Sequence, residues 1–273
     1  SKTNNIAIIL PEVNTLVDMP FFHTCMYGVE EVAQANDYDI IVVTTNGNDT
    51  KPLERLIQNR KVDGMILTRT YENDKYVKFL KQKQIPFVAV GKFPDDDVVQ
   101  VDHDNVGACK ELVTVLFAKG IQNIAYLGSN MDQMVNRCRY QGYEEAYRKG
   151  KRKLNQDLVY TDLSSKAMVE KAVEELKKSG VECILCQDDY ICDEAVRKLS
   201  HMGVRIPDQM KVASCHYSRI LENYPVTVTS LKFNITELGR RSCQVLLDMI
   251  HGKTVPDKTL LDYEIILKES TKG

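Results

Sequence analysis

At 273 residues the chain is too long for one compact core and suits two lobes of about 100 to 150 residues each. Its 43% hydrophobic and 27% charged residues are those of an ordinary globular protein. A formal net charge of -2 gives no electrostatic case for nucleic-acid binding by this chain itself, because duplex binding rests on clustered Lys and Arg.

No apolar segment approaches the ~20 residues of a membrane span, and the start Ser1-Lys2-Thr3-Asn4-Asn5 lacks a secretory apolar region, so the chain reads as cytoplasmic with no membrane partner. Eight cysteines are scattered through apolar strands and helices, which suits reduced core thiols better than a disulfide framework. Cys183 and Cys186 have CxxC spacing, but in a strand residues three apart point to opposite faces, so the pattern is read as packing and a zinc site is rejected.

Along the chain, Ile6 to Leu10 is a short apolar run ended by Pro11, and a polar loop, Asn14 to Met19, follows. Pro20-Phe21-Phe22 opens a helix with Met26, Val29, Val32 and Ala33 at helical spacing. Asp39 to Thr44 is apolar without alternation, which predicts a strand buried on both faces. Thr50 is the expected N-cap of the next helix, with Pro52 in its first turn. Gly64 to Thr68, Pro86 to Val90 and Val98 to Val101 read as strands, and Asp74 to Lys83 as a helix.

Asp104 to Lys119 is a helix stopped at Gly120. Strand Ile124 to Leu127 leads through Gly128-Ser129-Asn130 to a helix carrying Arg137-Cys138-Arg139-Tyr140-Gln141-Gly142-Tyr143. Helices Lys166 to Lys178, Ile191 to Met202 and Ile235 to His251 end at Gly180, Gly203 and Gly252, and Cys183 to Cys186, Met210 to Ser214 and Tyr263 to Leu267 are strands. This alternation predicts an α/β protein of two doubly wound, mainly parallel sheets with helices on both faces.

The sequence carries no Gly-rich dinucleotide fingerprint, no phosphate-cradling P-loop and no nucleophile elbow, so neither a cofactor nor an enzymatic activity is expected. His103, between Asp102 and Asp104, reads as a capping or surface residue beside a helix start. Arg139 lies early in a helix that follows the carboxyl end of a parallel strand, where open α/β folds bind ligands; by position alone it is either a surface residue or a ligand anchor. The pair Asp188-Asp189 sits between a strand and a helix N-terminus, where one carboxylate can cap while the other faces a ligand.

Several ordered segments resemble the effector-binding core of the lactose-repressor (LacI/GalR) family, whose fold is shared with type I periplasmic sugar-binding proteins. They are Met19-Pro20-Phe21-Phe22, Val62 through Leu67, Ile85 through Lys92, Val101 through Asn105, Arg139 through Tyr143, Asp188-Asp189, Gly203 through Asp208, Val228 through Leu231 and Glu237-Leu238-Gly239. The resemblance implies two similar lobes, 1–103 with 234–257 and 104–233 with 258–273, joined by three crossings with a ligand cleft between them. It further implies a homodimer that senses a small sugar or sugar phosphate and represses transcription. Operator DNA would be reached through a helix-turn-helix headpiece that this chain does not contain. The competing class is the solute-binding protein of a sugar transport system.

Carried over by position, the resemblance makes Phe21 and Phe22 ligand contacts from the first lobe, one of the two serving only to pack the helix. Arg139 becomes the donor to ligand hydroxyls or carboxylates, Asp188 an acceptor, and Phe233 a contact at a crossing. Three positions depart from the family pattern: His216 and the Gly91-Lys92 pair stand where acidic residues are usual, and Leu163 where an aromatic is. Exchanging acceptors of sugar hydroxyls for His216 and Lys92 favours an anionic ligand such as a sugar phosphate.

Overall fold

The structure is a computed structural model that describes residues 2–12 and 19–273. Of the polar loop expected at 14–19, residues 14–18 lie outside the described residues.

The chain forms two compact units, Ser1–His103 with Asn234–Leu261 and Asp104–Phe233 with Asp262–Gly273. The first contains β1 (Asn5–Pro11), α1 (Phe21–Ala35), β2 (Asp39–Thr45), α2 (Lys51–Gln58), β3 (Gly64–Leu67), α3 (Lys75–Lys83), β4 (Phe87–Val90) and β5 (Gln100–His103). The second contains α4 (Asn105–Ala118), β6 (Ile124–Leu127), α5 (Met134–Lys149), β7 (Val159–Tyr160), α6 (Lys166–Ser179), β8 (Cys183–Cys186), α7 (Asp189–His201), β9 (Lys211–Ser214) and β10 (Thr229–Lys232). The first then receives α8 (Ile235–Ile250) and β11 (Lys258–Leu261), and the second β12 (Glu264–Ile266).

The first sheet has the order β11-β5-β4-β3-β1-β2 and every neighbouring pair is parallel. Alternation along β1 sorts its side chains: Ile6, Ile8 and Leu10 join the core under α1 and α8, while Ala7 and Ile9 join the core under α2 and α3. The second sheet, β12-β10-β9-β8-β6-β7, is parallel except for β12. There Ala125, Leu127, Ile184, Cys186 and Val212 pack against α6 and α7. Each sheet is therefore doubly wound, as the alternation of elements predicts.

The structure corrects several local expectations. Lys258–Leu261 belongs to the first unit, as β11 running parallel to β5, rather than to the second lobe. Strand β2 pairs only with β1 and is an edge, so Val42 is 51% exposed and the strand is not buried on both faces. Thr50 makes no cap bond; its hydroxyl reaches Glu54 Oε1 at 3.0 Å instead. His103 is neither cap nor surface residue, since it is buried at the end of β5 while Asp104 accepts from Gly107 N at 3.0 Å.

Asp74 shows what a buried cap does. Its carboxylate accepts from Tyr76 N and Val77 N at 2.9 and 3.0 Å and from Tyr71 N at 3.0 Å. Burial raises its pKa and those three amides oppose the rise. Asp74→Ala strands all three donors and is expected to cost about 2 kcal/mol, read from urea unfolding.

Helix α5 packs on α4 through Gly142: a Cβ there would lie 2.4 Å from Val106 O and 2.8 Å from Cys109 Cβ. Gly239 lets α8 approach α1 in the same way, its Cβ position being 2.0 Å from Cys25 O.

Candidate functional site

The helix that carries Arg139 is fastened at its far end. Tyr143 donates to Ile124 O at 2.7 Å, and Tyr147 donates to the same oxygen at 3.0 Å while accepting from Ile124 N at 3.0 Å. Both phenols thus grip the first residue of β6. Because α5 runs back along the strand, Arg139, one turn before Tyr143, falls toward the carboxyl end of β6. Arg139 is buried, with 7% exposure, and its Nε has no hydrogen-bond partner.

Four more candidates follow the neighbouring strands of this unit. Leu163 comes just after β7, Asp188 after β8, His216 after β9 and Phe233 after β10. The carboxyl ends of adjacent parallel strands are where such sheets collect ligand-binding groups. His216 stacks on Phe233 with ring centroids 5.9 Å apart and planes 15° apart. Leu163 is part of the hydrophobic core with Ala125, Leu127 and Val169, so its side chain already has a packing role.

Asp188 is the N-cap of α7, accepting from Ile191 N at 2.9 Å and from Gln187 Nε2 at 3.2 Å. Asp189, the next residue, is buried. Burial raises its pKa, and the adjacent Ser218 hydroxyl and the Arg139 charge pull it back down. Since the folded value lies above the ordinary one, ionising Asp189 costs stability. That contribution is intact below the unfolded pKa of about 3.9 and is lost as pH rises through the raised value. Unfolding measured from pH 4 to 8 is expected to show wild type losing stability relative to Asp189→Asn as pH rises; parallel pH profiles would contradict this.

Sequence reasoning passed over a supporting layer. Asn136 donates to Ser129 O at 2.9 Å and Asn130 O at 3.1 Å, and Gln187 Oε1 accepts from Ser129 N at 3.0 Å, so the loop after β6 is held from two sides. The position of Asn136 one turn before Arg139 was the available signal.

In the first unit, Phe22 is in the core under α1 and α8, and Phe21 packs at its margin, their rings 5.1 Å apart and edge to face. Phe22 is thus the packing member of the pair. Arg69, two residues past β3, lies 5.0 Å over the Phe22 ring and was not anticipated. Lys92 follows β4 with its side chain exposed, and its carbonyl accepts from Thr70 Oγ1 at 3.0 Å. All eight cysteines are buried free thiols; Cys186 lies in the α6 and α7 core while Cys183 lies near Tyr143 and Tyr147, on opposite faces of β8.

Among known proteins, the chain is 25% identical over 277 residues to the HTH-type transcriptional regulator CelR of Thermobifida fusca, covering 98% of this chain and 82% of the relative. It is 26% identical over 282 residues to the HTH-type transcriptional regulator MalR of Streptococcus pneumoniae, covering 98% and 83%. A solved transcriptional regulator CelR–cellobiose complex superposes with a TM-score of 0.90 at 24% identity, covering 98% of this chain and 85% of that one. The transcription regulator CcpA of Lactococcus lactis superposes with a TM-score of 0.87 at 24% identity, covering 99% and 100%. Residues 3–269 match the family described as periplasmic binding proteins and sugar binding domain of LacI family, and the chain belongs to that family.

Proposed function

We propose that the chain is the effector-binding and dimerisation core of a LacI/GalR-type transcriptional repressor that senses a small sugar or sugar phosphate. The observation that carries the reading is the buried Arg139, with its unpartnered Nε, at the strand ends of a chain whose relatives over nearly its whole length are transcription regulators. Arg139, Asp188, His216 and Phe233 would meet the ligand from the second unit, with Leu163 flanking them; Phe21 and Lys92 of the first unit are candidates by the family resemblance, and Phe22 packs the core there.

Regulation would follow if the ligand binds one conformational state of the chain better than another, since only differential affinity shifts such an equilibrium. Operator DNA would be engaged by a headpiece outside this sequence, in a cytoplasmic homodimer. Among the described residues no helix is long and apolar enough to cross a membrane. The regulator relatives favour this reading over a transport component and over an enzyme.

A thermal-shift panel of sugars and sugar phosphates tests the proposal. A compound at a hundredfold excess over its Kd is expected to stabilise the fold by about 2.7 kcal/mol. The same compound should alter retardation of operator DNA by the protein joined to its headpiece. A hit that leaves DNA binding unchanged would contradict the regulatory part of the reading.

A further inference from the structure

We infer that Asn46 is a site of self-modification: its side-chain amide condenses with the Gly47 nitrogen, expels ammonia and leaves aspartate or isoaspartate in the loop between β2 and α2. The inference stands apart from the ligand reading above.

Asn46-Gly47 is the sole Asn-Gly pair in the sequence. Glycine matters at the second position because it puts no Cβ beside the attacking nitrogen. The turn itself requires that glycine: Gly47 has φ +85°, and a Cβ there would lie 3.3 Å from the Tyr71 ring. Tyr76 Oη is hydrogen-bonded to Thr45 Oγ1 and donates to Asp49 O at 3.1 Å, so residues 46–48 are held from both ends. Inside that frame Asn48 N donates to Asn46 Oδ1 at 2.9 Å, which folds the side-chain amide back over the following peptide. Gly47 N reaches only Thr45 Oγ1, at 3.4 Å, longer than an ordinary amide hydrogen bond. The nitrogen is thus weakly held while the carbonyl it attacks is fixed. Asn46 is exposed, so water reaches the site and ammonia leaves it.

Addition of Gly47 N to Asn46 Cγ forms the new C–N bond and moves the carbonyl electrons onto Oδ1. Asn48 N already contacts that oxygen, so a donor stands where negative charge develops. Collapse breaks the Cγ–Nδ2 bond, and the proton from Gly47 N departs with the ammonia. Water then opens the cyclic imide. Cleavage at Cγ gives aspartate, and cleavage at the main-chain carbonyl gives isoaspartate, with an extra methylene in the backbone. Either product adds a carboxylate to a loop that already carries Asp49. Asn155 provides a comparison within the chain. It is exposed and its Oδ1 accepts from Asp157 N at 3.0 Å in the same arrangement, but Gln156 follows it, and that side chain crowds the nitrogen.

Peptide mass spectrometry tests this on the intact chain, aged in mildly alkaline buffer and digested only afterwards. The peptide containing residue 46 should lose NH and gain O at least about tenfold faster than the peptide containing Asn155, giving both aspartate and isoaspartate. The folded chain should convert at least as fast as the same chain aged in guanidinium chloride, because the fold supplies the frame and the Oδ1 donor. Asn46→Gln, whose longer side chain must close a larger ring, should abolish the product while leaving the unfolding temperature unchanged. Faster conversion of the unfolded chain, aspartate without isoaspartate, or equal conversion at Asn155 would overturn the inference.

Discussion

Gly142→Val is expected to destabilise the second unit by about 3 kcal/mol or more. The atoms that a side chain would strike are Val106 O, Cys109 Cβ and Lys110 N, at 2.4, 2.8 and 2.9 Å from the Cβ position. Those are backbone and Cβ atoms of α4, so rotating a side chain relieves nothing and the two helices must separate. Separation would drag on the Tyr143 and Tyr147 bonds to Ile124 and displace Arg139 on the same helix. Gly239→Val should act alike in the first unit, where α8 meets Cys25 of α1. Urea unfolding monitored by circular dichroism measures both, and a loss below about 1 kcal/mol in either would mean that the helices tolerate a wider spacing.

Arg139→Ala is expected to weaken ligand binding by about a hundredfold, some 3 kcal/mol, with stability changed much less. The asymmetry has a physical source. In the folded chain the guanidinium leaves Nε unsatisfied, so removing it sacrifices little internal bonding. Asp189 loses a charge that lowers its pKa, so in the variant burial pushes that carboxyl further toward its neutral form, the one that burial tolerates. Titration of any compound that stabilises wild type reads the effect directly. Unchanged affinity in Arg139→Ala would remove this residue from the site.

The elements that were legible in the sequence are those whose burial imposes a pattern. Strands β1, β3, β4, β6 and β8 are short apolar runs between turn residues, and both faces of each are covered in the fold. Strand β10 contains Thr229, Ser230 and Lys232 and carries no such signal. It is held instead by partners far along the chain: Thr229 N donates to Ser270 Oγ at 2.8 Å, and the Thr229 and Thr271 hydroxyls lie 2.6 Å apart. Likewise β11 owes its place to pairing with β5 rather than to its own Lys258-Thr259-Leu260-Leu261.

The candidate residues divide along the same line. Arg139 stood out because its motif fixes three tasks within five residues: the cation at 139, the helix contact at 142 and the strand anchor at 143. Which of two adjacent carboxylates caps α7 depends on the helix register, and it is Asp188; Asp189 is the buried neighbour on which the Arg139 charge acts.

Hydrogen exchange with and without a stabilising compound tests the central claim most directly, since it reports where the ligand acts. Slowed exchange is expected in the segments after the strands of the second sheet, at 128–139, 187–191 and 214–218, all of which belong to the second unit. Protection confined to other segments, with these three unchanged, would contradict the assignment of Arg139 and its neighbours as the ligand site.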